Sequence, residues 1–234
     1  MKKITHDEIF DSDIADKTAQ LLIKIHAFTF RFHPPYTYTS GLKSPVYIDN
    51  RLTMSYVGIR KIFLNYYIEV LKKNIGIKNI DYISATATTA IPMGAWVADR
   101  LKLPLVFVRP TTKLAGQGKK SYGKGNKMEG YLKKDSRVLI IEDHISSATS
   151  AVDNADTVRE QGGKVQFCIS SSTYQTNASR KLLKAHHVQL ITLTSGRLIA
   201  ESAFKHGQIT KKQKESVDLW FDDPPNWAKK VGLV

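Results

Sequence analysis

The sequence predicts an α/β domain in which a mostly parallel, five-stranded sheet is flanked by helices on both faces. Three observations lead to this prediction. Five short apolar segments rich in β-branched residues alternate with segments that carry apolar residues at helical spacing. With 234 residues, the chain has the length of one α/β domain with a small appendage. Its 42% hydrophobic and 24% charged residues are ordinary for a globular protein.

The first part of the chain is expected to contain two helices and one early strand. Helical spacing of apolar residues predicts a helix at 13–27, with Asp13 as a suitable N-cap, and another at 55–74. Between them, residues 33–51 are rich in turn formers and become strand-like at "PVYID". The regular alternation of strands and helices therefore begins only after the second helix.

From residue 80 onward, strands and helices alternate. The buried strands are predicted at 80–85, 104–109, 137–142, 165–170 and 188–193. The helices are predicted at 90–101, 149–162 and 177–187, with two more at about 197–206 and 210–221. Residues 111–130, rich in Gly and Lys, are predicted to form a long mobile loop. Because ligands of parallel sheets bind outside the carboxyl ends of the strands, a site is expected after Ile83, Val108 and Ile141.

The net charge of +14, from 35 basic and 21 acidic residues, has three interpretations. It suits nucleic-acid binding, anionic small substrates, or a lysine-rich composition without function. The basic residues are spread along the chain, with local density at 113–127 and 205–214. No zinc-finger spacing and no aromatic RNA-binding motif accompanies them, so a nucleic acid is not the expected partner.

Three further features favour a cytoplasmic protein. Cys168 is the single cysteine, so no intramolecular disulfide can form, and we expect it to be a small buried hydrophobic residue. No apolar run approaches the ~20 residues that cross a bilayer, so no membrane partner is expected. Acidic residues rather than apolar ones follow the two lysines at the start, so a signal peptide is not expected.

Two adjacent carboxylates, Glu142 and Asp143, come at the end of an apolar strand. Burying them is costly without a partner, and a sugar diol, a hydrated Mg²⁺ or a lysine would each serve. The next residues open a helix and are small or carry hydroxyls: Ser146, Ser147, Ala148, Thr149 and Ser150. A helix start also supplies free N–H groups and a positive dipole end, which suits a phosphate monoester. An ordinary capped helix after an acidic strand end explains the pattern about equally well.

The stretch "VLIIEDHISSATSA" resembles the ribose-phosphate motif of type I phosphoribosyltransferases. Segment 28–56, with "SGLKSPVYIDNR", is similar to the N-terminal segment of orotate phosphoribosyltransferases. "VRP", followed by a Lys- and Gly-rich loop that ends in "KMEG", resembles their catalytic loop. Residues 193–227, ending in the pattern W-x-x-DP-x-x-W, resemble the C-terminal tail of one bacterial branch. The resemblance covers nearly the whole chain in order, and its early and late segments are the most specific.

The resemblance implies a type I phosphoribosyltransferase fold with an N-terminal hood (about 1–53), a core (about 54–195) and a helical tail (about 196–234). It implies transfer of a phosphoribosyl group from phosphoribosyl pyrophosphate to orotate, which gives orotidine 5′-monophosphate and pyrophosphate in UMP biosynthesis. The implied cofactor is Mg²⁺, held mainly by pyrophosphate and water rather than by protein ligands. The implied assembly is a homodimer in which one subunit supplies a loop lysine to the other.

The resemblance also assigns residues to the reaction. Because C1′ of the ribose becomes cationic as pyrophosphate leaves, catalysis needs charge neutralisation more than a strong base. The implied catalytic residues are Arg109 at the strand end, Lys120 in the loop, and Asp143. Counting back from "MEG" selects Lys120, with Lys119 beside it, whereas counting forward from Arg109 selects Lys113. The implied substrate contacts are Glu142, Ser146, Ser147, Ala148, Thr149, Ser150, Lys119, Tyr122, Lys43, Tyr47, Thr88 and Thr89.

Several positions depart from the family pattern. The pyrophosphate loop reads "ATATTA" (85–90) and the phosphate loop contains Ala148 and Thr149 where glycines are common, so a Cβ crowds each ligand. His144 replaces an apolar residue, and we expect it at the rim of the pocket without a catalytic role. The segment 170–177 lacks the arginine that many members use for orotate. These changes leave two alternatives open: a regulator that senses phosphoribosyl pyrophosphate, and an inactive paralogue.

Overall fold

The computed structural model describes residues 11–38, 40–109 and 127–233. In these ranges the helices are α1 (Ser12–Lys24), α2 (Val57–Asn74), α3 (Ile91–Leu101), α4 (Thr149–Glu160), α5 (Asn177–Ala185), α6 (Gly196–Lys205), α7 (Lys211–Asp222) and α8 (Trp227–Lys230). The strands are β1 (Phe28–Phe30), β2 (Tyr36–Thr37), β3 (Lys43–Ser44), β4 (Val46–Ile48), β5 (Tyr82–Thr86), β6 (Leu105–Val108), β7 (Met128–Glu129), β8 (Arg137–Ile145), β9 (Lys164–Thr173) and β10 (Gln189–Ser195). Short 3₁₀ turns lie at Asn50–Ser55, Ile77–Asn79 and Pro224–Asn226.

The central sheet has six strands in the described ranges, in the order β10-β9-β8-β5-β6-β7. The first five are parallel, and they confirm the five predicted strands. The sixth, β7, pairs antiparallel with β6 through Phe107↔Glu129 and Val108↔Met128. The prediction of a loop up to residue 130 was therefore wrong for Met128 and Glu129, because a two-residue strand is too short to show alternation.

Strand β8 continues past its predicted end. The apolar pattern ends it at Glu142, whereas its pairing with β9 continues through His144↔Ser172 and Ile145↔Thr173. Acidic residues are depleted in strands, so the sequence pattern ends at the two carboxylates although the strand continues. The two carboxylates therefore lie within the last paired residues of β8, still at the carboxyl edge of the sheet.

Two small sheets precede the central one. β1 pairs with β4 and β2 pairs with β3, both antiparallel. β4 confirms the strand predicted in "PVYID", whereas β1, β2 and β3 have only two or three residues and were not predicted. Helix α2 begins at Val57, two residues after its predicted start, because Asn50–Ser55 forms a 3₁₀ turn. The division of the chain into hood, core and tail stays a prediction.

Alternate residues of the central strands face two hydrophobic layers. Leu139 and Ile141 belong to the layer that contains residues of α1, α2, α3, α6 and α7. Val138 and Ile140 belong to the opposite layer, with residues of α4 and α5. Cys168 is buried and free in this second layer. Burial on both faces explains why the strands read as continuous apolar runs.

Helices α6 and α7 pack closely against each other, and both confirm their predicted positions. A Cβ atom at Gly196 would lie 2.3 Å from the ring of Phe221, so only glycine fits at the start of α6. Arg197 and Asp222 add an ion pair of 2.6 Å between these helices. No helix in the described part of the chain is both long and apolar enough to cross a membrane.

Candidate functional site

A cleft of about 160 Å³ lies at the carboxyl edge of β5 and β8. It is lined by Thr86, Ala87 and Thr89 and by residues 142–151. All the residues that were expected to bind ribose and its phosphate are therefore together. The volume is below the roughly 300–1,000 Å³ of a typical small-molecule site, so these residues enclose only part of a nucleotide-sized ligand.

A larger cavity, of about 780 Å³, opens at the opposite edge of the sheet. It lies beside the end of α2 and the first residues of β8 and β9. Three of the cations that line it already have acidic partners: Lys73 with Asp11, Arg137 with Asp81, and Lys164 with Asp135. Ligands of parallel sheets bind at the carboxyl edge, so the smaller cleft is the candidate site.

The carboxyl group of Glu142 is buried in a polar network. Ser84 Oγ donates to Asn154 Oδ1 at 2.7 Å, and Asn154 Nδ2 donates to Thr86 Oγ1 at 2.9 Å. Thr86, in turn, hydrogen bonds to the Glu142 carboxyl. Burial, and then the charge of Asp143, raises the pKa of Glu142 to about 8. The group is therefore protonated at neutral pH and can donate a hydrogen bond to a ligand.

Asp143 is tied to the turn that follows β5. Thr89 Oγ1 donates to Asp143 Oδ1 at 2.8 Å, which brings the "ATATTA" loop onto the carboxylate. Burial raises the pKa of Asp143, and this hydrogen bond opposes the rise. Thr88, the other predicted hydroxyl, is exposed and is not among the residues that line the cleft.

The loop that opens α4 brings hydroxyl groups and the first N–H groups of the helix together in the cleft. Ser147 Oγ and Thr149 Oγ1 are 2.9 Å apart, and among the described residues the N-cap, Ala148, provides no side-chain hydrogen bond to the first N–H groups of the helix. These N–H groups and the helix dipole favour an anion. Ala148 has a φ of 67°, in the left-handed region that glycine adopts without a steric penalty and alanine does not.

Ala148→Gly is expected to raise the free energy of unfolding by about 1 kcal/mol, because it relieves the left-handed Cβ clash. Ala151→Gly is the matched control: Ala151 lies inside α4, where glycine lowers stability by about 1 kcal/mol. Urea denaturation of both variants gives the comparison. A loss of stability in both would contradict the strain assigned to Ala148.

His144 is neutral and connects the site to the N-terminal part of the chain. Burial lowers its pKa to about 3. Asn50 Nδ2 donates to the backbone oxygen of Asp143 at 2.6 Å and to Ser172 Oγ at 2.9 Å. Ser172 Oγ lies 2.9 Å from His144 Nδ1. Because a serine hydroxyl has two lone pairs, Ser172 can accept from Asn50 and from His144 at once, and the direction of the bond to Nδ1 depends on the tautomer of the ring.

Three residues of this network were not identified from the sequence: Asn50, Ser84 and Asn154. An asparagine inside the helix "TSAVDNADTV" is the one usable signal, because asparagine disfavours helix interiors unless its side chain is needed.

Arg109 follows β6, as predicted, but it is paired with another residue. Its Nη1 lies 2.7 Å from Glu129 Oε1 of β7, and its guanidinium lies over the ring of Phe107. Arg109 is not among the residues that line the cleft. The predicted loop residues Lys120, Lys119 and Tyr122, and the alternative Lys113, lie outside the described residues.

Lys43 and Tyr47, the predicted orotate contacts, lie in the small sheets and do not line the cleft. Lys43 Nζ donates to Thr37 Oγ1 at 2.9 Å. Tyr47 is 37% exposed and packs beside the rings of Tyr36 and Tyr38, so it is not a core residue. Both side chains can therefore still meet a ligand.

Because of Glu142, the free energy of unfolding is expected to decrease as the pH rises. Since its pKa rises from 4.5 to about 8 on folding, the folded state keeps a proton that the unfolded state loses. The stability contribution is complete below pH 4.5 and is lost as the pH rises through 8. Glu142→Gln is neutral at every pH, so it should raise the unfolding free energy by on the order of 4 kcal/mol at pH 8.

The measurement is urea denaturation of both proteins between pH 5 and 8. The wild-type curve alone is ambiguous, because His144 has the opposite effect. Its pKa is lowered on folding, so the free energy of unfolding decreases as the pH falls below 6.5. Both proteins contain His144, so the difference between them isolates Glu142. A difference that is the same at every pH would refute a buried, protonated Glu142.

Comparison with known proteins gives a consistent result. No protein-family model matches the chain. A curated orotate phosphoribosyltransferase of Coxiella burnetii is 36% identical over 213 residues, which cover 91% of this chain and 98% of the relative. One of Listeria innocua is 34% identical over 216 residues, covering 92% and 99%. The crystal structure of orotate phosphoribosyltransferase from Aeropyrum pernix matches with a TM-score of 0.66 at 24% identity, covering 82% of this chain and 99% of that one.

Proposed function

Because the chain belongs to the orotate phosphoribosyltransferase family, we propose that it transfers the phosphoribosyl group of phosphoribosyl pyrophosphate to orotate in pyrimidine (UMP) synthesis. The products are orotidine 5′-monophosphate and pyrophosphate. One observation carries the proposal: the acidic pair Glu142–Asp143 and the uncapped start of α4 share one cleft. A ribose 5-phosphate needs this combination of a carboxyl pair for its hydroxyls and an anion site for its phosphate.

We assign the ribose and phosphate contacts to the cleft. Neutral Glu142 donates to a ribose hydroxyl, and Asp143 accepts from one. The 5′-phosphate binds the hydroxyls and N–H groups of residues 146–150. The pyrophosphate is assigned to Thr88 and Thr89, which follow β5. Thr89 also hydrogen bonds to Asp143.

The remaining assignments concern the leaving group and the base. Lys120, with Lys119 and Tyr122 beside it, and Arg109 are proposed to neutralise the pyrophosphate, which stabilises the charge that develops in the transition state. Arg109 must exchange its contact with Glu129 for the ligand. Lys43 and Tyr47 are proposed to contact orotate.

Mg²⁺ is proposed as the cofactor. In the described ranges, no group of three or more His, Cys, Asp or Glu side chains could hold a metal by itself. This donor set fits an ion that keeps its waters and binds mainly through substrate oxygens, with Asp143 as the protein carboxylate nearest the ribose. When bound, the ion neutralises charge on the pyrophosphate.

We further propose a cytoplasmic homodimer in which Lys120 acts in the partner's site. The single cysteine, which is free and buried, supports the location.

The test is consumption of orotate by the purified protein with phosphoribosyl pyrophosphate, with and without Mg²⁺. Turnover that requires Mg²⁺ is the expected result. A folded protein that binds phosphoribosyl pyrophosphate without turnover would favour the second candidate, a regulator or inactive paralogue. The observation that favours this candidate is the Cβ of Ala148 at the glycine position of the phosphate loop.

A further inference from the structure

The C-terminal part of the chain reaches back to the segment assigned to orotate. Trp220 in α7 is 2% exposed, and its Nε1 donates to the backbone oxygen of Lys43 at 2.9 Å. These residues are 177 positions apart. The turn Pro224–Asn226 and helix α8 also lie against β3, which begins at Lys43. The placement of this strand therefore depends on the end of the chain.

The strand that receives this hydrogen bond has little support of its own. β2 and β3 pair through Tyr36↔Ser44 and Thr37↔Lys43 only. An isolated two-stranded hairpin is at best marginally stable in water. The segment 40–45 contains Lys43 and leads along the chain to Tyr47. Its position therefore relies on contacts from outside the hairpin.

An aromatic cluster around Trp220 holds the same segment at both ends. The Trp220 ring meets Tyr38 edge-on at 6.3 Å and Tyr174 edge-on at 5.2 Å. Tyr38 donates its hydroxyl proton to the backbone oxygen of Val46 at 3.0 Å. Tyr174, whose hydroxyl is 3.1 Å from that of Tyr38, must then donate to it. The cluster therefore orients the chain before and after Lys43.

We propose that Trp220 is a positioning residue for orotate binding. Its indole N–H fixes the backbone of Lys43, so the C-terminal helices set the geometry of the base-recognition segment. This inference rests on the proposed function, because it assumes that Lys43 and Tyr47 meet orotate. Trp220 touches no reacting atom, and its effect is specific to one of the two substrates.

The test is steady-state kinetics of Trp220→Phe in the full chain. We expect KM for orotate to rise about 5-fold, the factor that corresponds to one lost hydrogen bond of about 1 kcal/mol. KM for phosphoribosyl pyrophosphate and kcat should stay within about twofold, because Trp220 does not line the cleft at residues 142–151. A purely structural role would shift both KM values or neither.

Trp227→Phe is the matched control. Trp227 is 1% exposed, and its Nε1 donates to the backbone oxygen of Ser216, also at 2.9 Å, within the C-terminal helices. It loses the same group from a hydrogen bond to Ser216 rather than to Lys43, so KM for orotate should rise clearly less than in Trp220→Phe. Thermal unfolding of both variants verifies comparable folding. Tyr174→Phe, which removes a hydroxyl from the same cluster, should also raise KM for orotate. If Trp220→Phe does not fold, this variant tests the inference in its place.

Equal KM values for orotate in the two tryptophan variants, or a parallel rise of both KM values in Trp220→Phe, would overturn the inference. If Trp220→Phe does not fold, an unchanged KM for orotate in Tyr174→Phe would also overturn the inference. A wild-type protein without orotate turnover would be a different result: the proposed function would fail, and this inference with it.

Discussion

Asp143→Asn is expected to lower kcat by about 100- to 1,000-fold and to leave the fold intact. Asparagine has the shape of aspartate and still accepts the hydrogen bond from Thr89. It removes the negative charge beside a ribose that becomes cationic at C1′. Because Asp143 is largely shielded from water, this charge acts through a low dielectric and its loss is poorly compensated.

Two comparisons make this prediction specific. Asp81→Asn changes the same group at the opposite edge of the sheet, where Asp81 pairs with Arg137, so kcat should be unchanged. Glu142→Gln should lower kcat by less than about 10-fold at pH 7, because Glu142 is already neutral there. The assay is orotate consumption at saturating substrates. Equal losses in the two neighbouring variants would contradict the different charge states assigned to Glu142 and Asp143.

The parallel sheet was predictable because its strands are buried on both faces. Each strand then needs a continuous apolar run, and such runs are visible locally, as in "VLII". The edge at which the cleft lies followed from strand direction alone. The short strands β1, β2 and β3 were not predictable, because two or three residues show no period.

The support of the carboxylates was not predictable, because it is non-local. Asn50 reaches the backbone of Asp143 across 93 positions, and Asn154 reaches Thr86 across 68. No periodicity encodes such pairs. The raised pKa of Glu142 likewise depends on burial by other segments, and the sequence alone left its partner open. The contact between Arg109 and Glu129 required the position of β7, which the sequence pattern had assigned to a loop.

Lys120→Ala is expected to lower kcat by about 100-fold or more, because the pyrophosphate would leave with one positive charge fewer beside it. Lys119→Ala and Lys113→Ala are the matched controls, since they remove the same charge from neighbouring positions, and each should cost less than about 10-fold. A larger loss in Lys113→Ala would support the alternative alignment, counted forward from Arg109.

A mixing experiment then tests which subunit supplies the lysine. In a dimer of one Lys120→Ala and one Asp143→Asn subunit, a lysine that acts across the interface leaves one site with both defects and the other with none. Random reassociation of the two inactive variants should then restore about a quarter of wild-type activity, since half of the dimers are mixed and each has one intact site. A lysine that acts within its own subunit leaves one defect in every site, and mixing would restore nothing. The recovered fraction therefore separates the two arrangements without depending on how large either single loss is.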